Sequence, residues 1–127
     1  MTLPLTGGCL CGAVRYSISA PPRFQFHCHC RDCQRHSGTG HTSRMAVTLE
    51  TLTVTGELRW FRVTGDNGSG LLRGFCPTCG SAVVNEPERL PDLRMISAGT
   101  LDDPSQFSPV KSLYPERAPP WDVVIPG

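Results

Sequence analysis

The chain has 127 residues, which predicts a single domain over residues 1–127 that can bury a modest hydrophobic core. Its 12 lysine and arginine residues nearly balance its 11 aspartate and glutamate residues, so the formal net charge is +1. This balance provides no strong attraction to nucleic acid or to an anionic membrane, and we expect neither as a partner.

The first predicted elements are a turn and a strand. Residues 7–12 are predicted to form a turn between glycines, in which Cys9 and Cys11 can converge on one metal ion. Apolar and polar residues then alternate over residues 13–19, which is typical of a half-buried strand.

The next elements lead into and out of a dense cysteine cluster. Alternation over residues 24–28 predicts a strand that ends at Cys28, and residues 32–37 are predicted to form a short helix that ends at Gly38. Further strands are predicted over residues 45–54 (with a turn near 50–51), 57–63, 71–75, 81–85 and 93–98. Short strands separated by glycine and proline turns predict a mainly β domain with little helix.

Two segments are predicted to lack regular structure. Residues 65–70 are rich in glycine and form a loop, but they carry no phosphate-binding fingerprint. The tail, residues 107–127, is rich in proline and is predicted to wrap the domain in extended form, with Trp121 as its anchor.

The seven cysteines are predicted to be metal ligands. No signal peptide is visible in residues 1–8, and no segment approaches the roughly 18 apolar residues of a transmembrane helix, so we expect a cytoplasmic protein. Cytoplasmic cysteines rarely form disulfides, and an odd number of them fits pairing poorly. Zinc suits clustered thiolates best, because it accepts four sulfurs in a tetrahedron and needs no redox chemistry.

The spacing of the cysteines permits two divisions. One joins the two C-x-x-C pairs into an ordinary structural ribbon, whose ligands would be Cys30, Cys33, Cys76 and Cys79. The other makes a closed four-cysteine site and an open three-cysteine site, whose members would be Cys9, Cys11, Cys76 and Cys79 in the first and Cys28, Cys30 and Cys33 in the second. Periodicity does not choose between them.

Three cysteine motifs occur in a specific order along the chain. They are Gly8-Cys9-x-Cys11-Gly12, Cys28-His29-Cys30-x-x-Cys33-x-Arg35 and Phe75-Cys76-x-x-Cys79-Gly80-Ser81. Other matching stretches are Leu52-x-Val54-x-Gly56-x-Leu58, Gly99-Thr100-Leu101-Asp102-Asp103-Pro104, Phe107-x-Pro109 and Trp121. Together they resemble the glutathione-dependent formaldehyde-activating (GFA) family, which includes the centromere protein V domain. His41 departs from the family pattern, in which an apolar or aromatic residue follows the turn.

The resemblance implies several small antiparallel sheets built around two zinc ions per chain. It assigns Cys9, Cys11, Cys76 and Cys79 to a structural site, and Cys28, Cys30 and Cys33 to a catalytic site whose fourth position admits water or a substrate thiol. It further implies a zinc-dependent carbon–sulfur lyase, which joins a small-molecule thiol, with glutathione as co-substrate, to an aldehyde such as formaldehyde.

Zinc held by three thiolates carries net negative charge, so it is a weak Lewis acid that is better suited to holding a fourth sulfur as thiolate. Arg31 and Arg35 could offset this charge or bind glutathione carboxylates, or they could be solvated surface residues. His36 is the best candidate for proton transfer, with His27 as a second candidate, whereas His29 is expected to point away from the metal.

Two other classes of function compete with the enzyme. A zinc-stabilised binding module without activity is possible on the same scaffold, because fold does not fix function. A nucleic-acid-binding ribbon is disfavoured by the balanced charge. The sequence does not predict the oligomeric state.

Overall fold

The computed structural model describes residues 1–65 and 67–126; Asp66 and Gly127, which belong to the predicted loop and tail, lie outside the described residues. The described residues form two β-sheets with one α-helix and several 3₁₀ turns. The prediction of a mainly β fold with little helix is therefore confirmed. Among the helices of these residues, none is long and apolar enough to cross a membrane.

The regular elements are short, as the frequent glycines and prolines predict. Their bounds in chain order are β1 (Leu5–Gly8), β2 (Arg15–Ile18), β3 (Phe24–Cys28), α1 (Arg31–Ser37), β4 (Thr42–Thr48), β5 (Leu52–Thr55), β6 (Arg59–Thr64), β7 (Gly70–Phe75), β8 (Ala82–Pro87), β9 (Leu93–Ser97) and β10 (Lys111–Leu113).

The smaller sheet has three antiparallel strands in the order β1-β2-β5. Its apolar side chains alternate with polar ones, so Leu5 and Ile18 are fully buried. They belong to the same buried cluster as Met45 of β4 and Ile96 of β9, which are also fully buried. The main core is therefore built from side chains of both sheets.

The larger sheet has seven strands in the order β10-β3-β4-β9-β8-β7-β6. Its neighbours are antiparallel except for β10, which lies parallel to β3 with Leu113 beside Cys28. A second, smaller buried cluster includes Cys28, Cys33, Phe26 and Ala46. The end of β3 and the start of α1 are thus held by packing as well as by backbone hydrogen bonds.

The helix α1 follows the sequence prediction closely. Cys30 occupies the N-cap, where its sulfur accepts a hydrogen bond from the backbone N–H of Cys33 at 3.4 Å. Gly38 ends the helix in the left-handed conformation, with φ of 74°, and its N–H donates to the carbonyl of Gln34. This geometry places Cys30 and Cys33 on one side of the first helical turn.

The structure corrects the predicted N-terminal turn. Gly7 and Gly8 belong to strand β1 rather than to the turn, which begins after them. A Cβ at Gly7 would lie far too close to the Tyr16 hydroxyl and to the Thr100 carbonyl oxygen. Glycine is therefore needed here for close packing within a strand, a requirement that resembles a turn signal in the sequence.

The structure also corrects the predicted tail. The tail contributes strand β10 and a 3₁₀ turn at residues 115–117, so it is not extended throughout. Trp121 is 69% exposed and does not anchor it. The anchor is the neighbouring Asp122, whose side chain is only 8% exposed and bonds to two histidines.

Candidate metal centres

Four cysteines from two distant parts of the chain meet in one cluster. Cys9 and Cys11 follow β1, whereas Cys76 and Cys79 follow β7. All four sulfurs lie within 4.8 Å of one another; the Cys9–Cys11 distance is 3.6 Å and the Cys11–Cys76 distance is 3.7 Å. A tetrahedral zinc site with bonds of about 2.3 Å has sulfur–sulfur edges of about 3.8 Å. The donor set and its spacing therefore fit zinc.

Nearby donors favour the thiolate form at two of the four cysteines, Cys9 and Cys79. The Val14 backbone N–H lies 3.2 Å from the Cys9 sulfur, and this hydrogen bond is the main cause that lowers the Cys9 pKa. The Ser81 hydroxyl lies 3.2 Å from the Cys79 sulfur, and it lowers the pKa of Cys79 to about 5. Since only a thiolate binds metal well, these contacts assist metal binding.

The other three cysteines form a separate cluster. Cys28 ends β3, Cys30 caps α1, and Cys33 lies in its first turn; their sulfurs all lie within 4.8 Å of one another. Among the residues the structure describes, no further cysteine, histidine or carboxylate joins this group. The two C-x-x-C pairs therefore lie in different clusters, and the geometry does not support the four-cysteine ribbon.

The three-cysteine cluster concentrates negative charge on one sulfur. Hydrogen bonds from Cys28 and Cys30 lower the pKa of Cys33, and the Arg73 cation lowers it further. The pKa of Cys28 is raised, because hydrogen bonding to Cys30 and Cys33 favours its protonated form. A metal bound to all three sulfurs would have to displace the remaining protons.

Two buried arginines that no sequence motif indicated lie near this cluster. Arg73 of β7 is 4% exposed, and its Nη2 lies 4.0 Å from the Cys33 sulfur. Arg44 of β4 is 3% exposed and donates to the Ser97 hydroxyl at 2.9 Å. A buried cation is costly unless an anion compensates it, and the thiolates provide that anion. The sequence does contain one signal for Arg73, which is a charged residue inside the otherwise apolar predicted strand 71–75.

A cavity of about 330 Å³ opens beside the three-cysteine cluster, and all three cysteines line it. Val63 and Leu71 provide apolar surface, while Arg31, Arg73 and Arg117 provide positive charge. The predicted loop contributes through Asn67 and Ser69. The cavity can therefore accommodate a small organic molecule that bears negative charge.

Of the remaining predicted site residues, Arg31 lines this cavity, whereas Arg35 and His36 do not. Arg35 and His36 line a second cavity together, and His36 also lines a third one. Burial and the charges of Arg73 and Arg44 lower the pKa of His36 to about 4, so its imidazole is neutral near pH 7. The catalytic role of His36 and the ligand contacts of both arginines stay predictions.

The other histidines form a polar cluster of their own. His29 is fully buried and bonds to Asp122 and Ser112 rather than to the cysteines. His41 also bonds to Asp122, and the ring centroids of His27 and His41 lie 4.2 Å apart. Spacing along the chain gave no sign of this cluster, because Asp122 lies 93 residues from His29.

The fold and these clusters define a mainly β protein with two groups of cysteines of the kind that hold metals. The chain belongs to a known family: the family model described as "Glutathione-dependent formaldehyde-activating enzyme" matches residues 4–117. This membership confirms the resemblance seen in the sequence.

Two individual relatives support the comparison. A protein of Halomonas elongata, named "Putative glutathione-dependent formaldehyde-activating enzyme", is 30% identical over 124 residues, which cover 92% of this chain and 78% of the relative. The crystal structure of a Rhodobacter sphaeroides protein superposes with a TM-score of 0.65 at 23% identity, covering 84% of this chain and 98% of that one. The second comparison supports the fold alone.

Proposed function

We propose that the chain is a zinc-dependent carbon–sulfur lyase, which reversibly joins a thiol such as glutathione to formaldehyde. The observation that carries the proposal is the cluster of Cys28, Cys30 and Cys33, three converging thiols that open onto a cavity without a fourth protein ligand among the described residues. Membership of the family supports the same assignment of substrates.

The donor set of the open cluster suits zinc. Cys28, Cys30 and Cys33 would hold the ion, and the four-cysteine cluster would hold a second, structural one. Bound zinc would supply a positive centre that keeps a substrate thiol deprotonated near neutral pH.

The chain's own residues would bind and orient the substrates. Arg31 and Arg117 line the cavity, where a guanidinium can receive a carboxylate of the thiol substrate. Arg73 lies against Cys33 and offsets the negative charge of the thiolates. Val63 and Leu71 give the cavity apolar surface, and a substrate that displaces water from it would strengthen these interactions.

In the proposed reaction the thiolate sulfur attacks the aldehyde carbon, and the carbon–sulfur bond forms as the carbon–oxygen double bond becomes single. The oxygen then takes up the proton that the thiol had released and becomes a hydroxyl. The reverse reaction breaks the carbon–sulfur bond and returns thiolate, aldehyde and proton. Holding both reactants in one cavity converts a bimolecular encounter into an oriented one, which is a large source of acceleration.

The test is the rate of adduct exchange, measured by NMR with zinc-loaded protein, glutathione and formaldehyde. We expect exchange above the spontaneous rate in the native chain and loss of the acceleration in Cys30→Ser. A glutathione analogue with a hydroxyl in place of the thiol serves as a control and should not react. A folded, zinc-loaded native chain that leaves the spontaneous rate unchanged would contradict the proposal and favour a non-catalytic binding module.

A further inference from the structure

A buried polar network lies next to the open cysteine cluster without belonging to it. His29 is 0% exposed; its Nδ1 lies 2.8 Å from Asp122 Oδ2, and its Nε2 lies 3.0 Å from Ser112 Oγ. The Nδ1 of His41 lies 3.0 Å from each Asp122 oxygen. The Asp122 carboxylate thus bonds to both histidines, and His29 also bonds to Ser112.

The hydrogen bonds to Asp122 have a defined direction. A carboxylate only accepts, so Nδ1–H of each histidine donates to Asp122. Nε2 of a neutral His29 then accepts from the Ser112 hydroxyl, whose oxygen in turn accepts from the backbone N–H of Ile125 at 2.9 Å. Ser112, His29 and Asp122 are therefore linked in the order of a hydrolytic triad. However, Ser112 is only 6% exposed and His29 is fully buried, so no substrate reaches them.

The spacing of the network also argues against a third metal site. His29, His41 and Asp122 offer ligand atoms close together, but a tetrahedral zinc with bonds of about 2.0–2.1 Å separates its nitrogen and oxygen ligands by about 3.3–3.4 Å. The observed distances of 2.8 and 3.0 Å are those of direct hydrogen bonds. By contrast, the sulfur–sulfur distances of 3.6 and 3.7 Å in the four-cysteine cluster approach metal spacing.

The network joins the tail to the strand that carries the cysteines. Ser112 lies in β10, an edge strand of three residues, and β10 pairs in parallel with β3. The N–H of His29 donates to the carbonyl of Leu113 at 2.9 Å. Because so short a strand has few ladder hydrogen bonds, the bonds of Ser112 and Asp122 form a large share of its attachment.

A strained residue follows this strand directly. Tyr114 has φ of 53°, and it is the one non-glycine residue with positive φ among those the structure describes. Pro115 comes next, and a residue before proline is normally driven to an extended conformation. Such a conformation persists only where the surrounding structure fixes it. The pairing of β10 with β3 fixes the chain directly before Tyr114 and so provides that constraint on its N-terminal side.

The strained segment forms part of the cavity wall at the cysteines. Tyr114 and Arg117 both line the cavity, and the Arg117 guanidinium carbon lies 4.8 Å from the centre of the Tyr114 ring. Gln34 of α1 donates to the carbonyls of Arg117 and His29, at 2.9 Å each. The wall, the helix and the buried network are therefore connected by hydrogen bonds.

We propose that Asp122, His29 and Ser112 are positioning residues, which fix the wall formed by Tyr114 and Arg117 and thereby set the affinity of the cavity for its thiol substrate. None of the three touches the cavity. The inference about affinity rests on the proposed function, whereas the inference about attachment of the wall does not.

The test uses Asp122→Asn, which keeps the shape of the side chain but replaces one accepting oxygen with a donor. We expect amide hydrogen exchange over residues 111–117 to accelerate about tenfold or more, the effect of losing a buried hydrogen bond to a charged group. We expect KM for glutathione to rise by a similar factor while kcat changes less than about twofold, because the cysteines are untouched. Ser112→Ala should act in the same direction and replaces Asp122→Asn if that variant does not fold.

Asp102→Asn is the matched control. This substitution also replaces one carboxylate oxygen with a donor and weakens an ion pair, the one between Asp102 and Arg15. Asp102, however, is partly exposed and does not line the cavity. It should leave both exchange over residues 111–117 and KM unchanged.

Three outcomes would overturn the proposal: unchanged exchange and KM in both network variants, a loss confined to kcat, or a third metal ion per chain that Asp122→Asn removes. If exchange accelerates but even the native chain lacks turnover, the attachment of the wall stands and the proposed function falls.

Discussion

Arg73 shows how one side chain can prepare a thiolate cluster. It is 4% exposed, its Nη2 lies 4.0 Å from the Cys33 sulfur, and its Nη1 has no hydrogen-bond partner within the described protein. A buried donor without a partner is rare in proteins. Because Arg73 lines the cavity, an anionic substrate there could accept a hydrogen bond from this nitrogen. The cation also lowers the pKa of Cys33, in addition to the hydrogen bonds of Cys28 and Cys30.

Replacing Arg73 should weaken metal retention by the open cluster. In Arg73→Gln, we expect the zinc affinity of that cluster to fall about tenfold to a hundredfold, as is typical when a residue that supports metal ligands is lost. Arg73→Lys keeps the charge, so its zinc affinity should lie closer to that of the native chain. Competition with a coloured chelator measures the affinity, and Arg59→Gln on the exposed face of β6 is the control. Equal losses in Arg73→Gln and Arg73→Lys would show that shape matters rather than charge.

At the scale of elements, the two cysteine clusters constrain very different lengths of chain. The four-cysteine cluster connects the turn after β1 to the segment 76–79 after β7. Cys11 and Cys76 are 65 residues apart in sequence. The three-cysteine cluster closes only the short segment from Cys28 to Cys33. Because closing a longer loop removes more conformational entropy from the unfolded chain, the first cluster should contribute more to stability.

Variants of the two clusters should therefore differ. Structural zinc supplies on the order of 10 kcal/mol of folding free energy in small zinc peptides, as much as the stability of many domains. We expect Cys76→Ser to unfold or aggregate at 25 °C, and Cys30→Ser to fold, with one zinc fewer and a melting temperature lowered by roughly 5–10 °C. Thermal melting and zinc content, measured on both variants side by side, give the answer. Equal collapse would mean that both cysteines stabilise one common structural site.

At the scale of the whole molecule, the partition of the cysteines predicts two metal ions with different numbers of protein ligands. The cluster that lines the cavity offers three sulfurs, whereas the other cluster offers four. We expect the purified chain to contain two zinc ions and to retain close to one after mild chelation, because a chelator can take the fourth position of the three-cysteine site. Metal analysis before and after chelation measures this. A single zinc in the fully loaded protein would contradict the partition.

Most strands and the helix could be predicted, because each is specified by local residues. The alternation over residues 13–19 and the Gly38 helix end are short-range signals, and both appear in the structure as β2 and the end of α1. Strands β1 and β10 could not be predicted in the same way. β1 ends in two glycines required for close packing, and β10 depends on pairing with β3 more than 80 residues away.

The sequence by itself determined the mainly β class, the three cysteine motifs and the family, because these depend on residue type and spacing along the chain. Only the tertiary structure decided which cysteines meet, since Cys9 joins Cys76 through the packing of two sheets. It also decided that Arg73 lies against Cys33 and that Asp122, rather than Trp121, secures the tail. These contacts join distant segments, and no local pattern encodes them, because burial beside a given partner is a property of the folded chain.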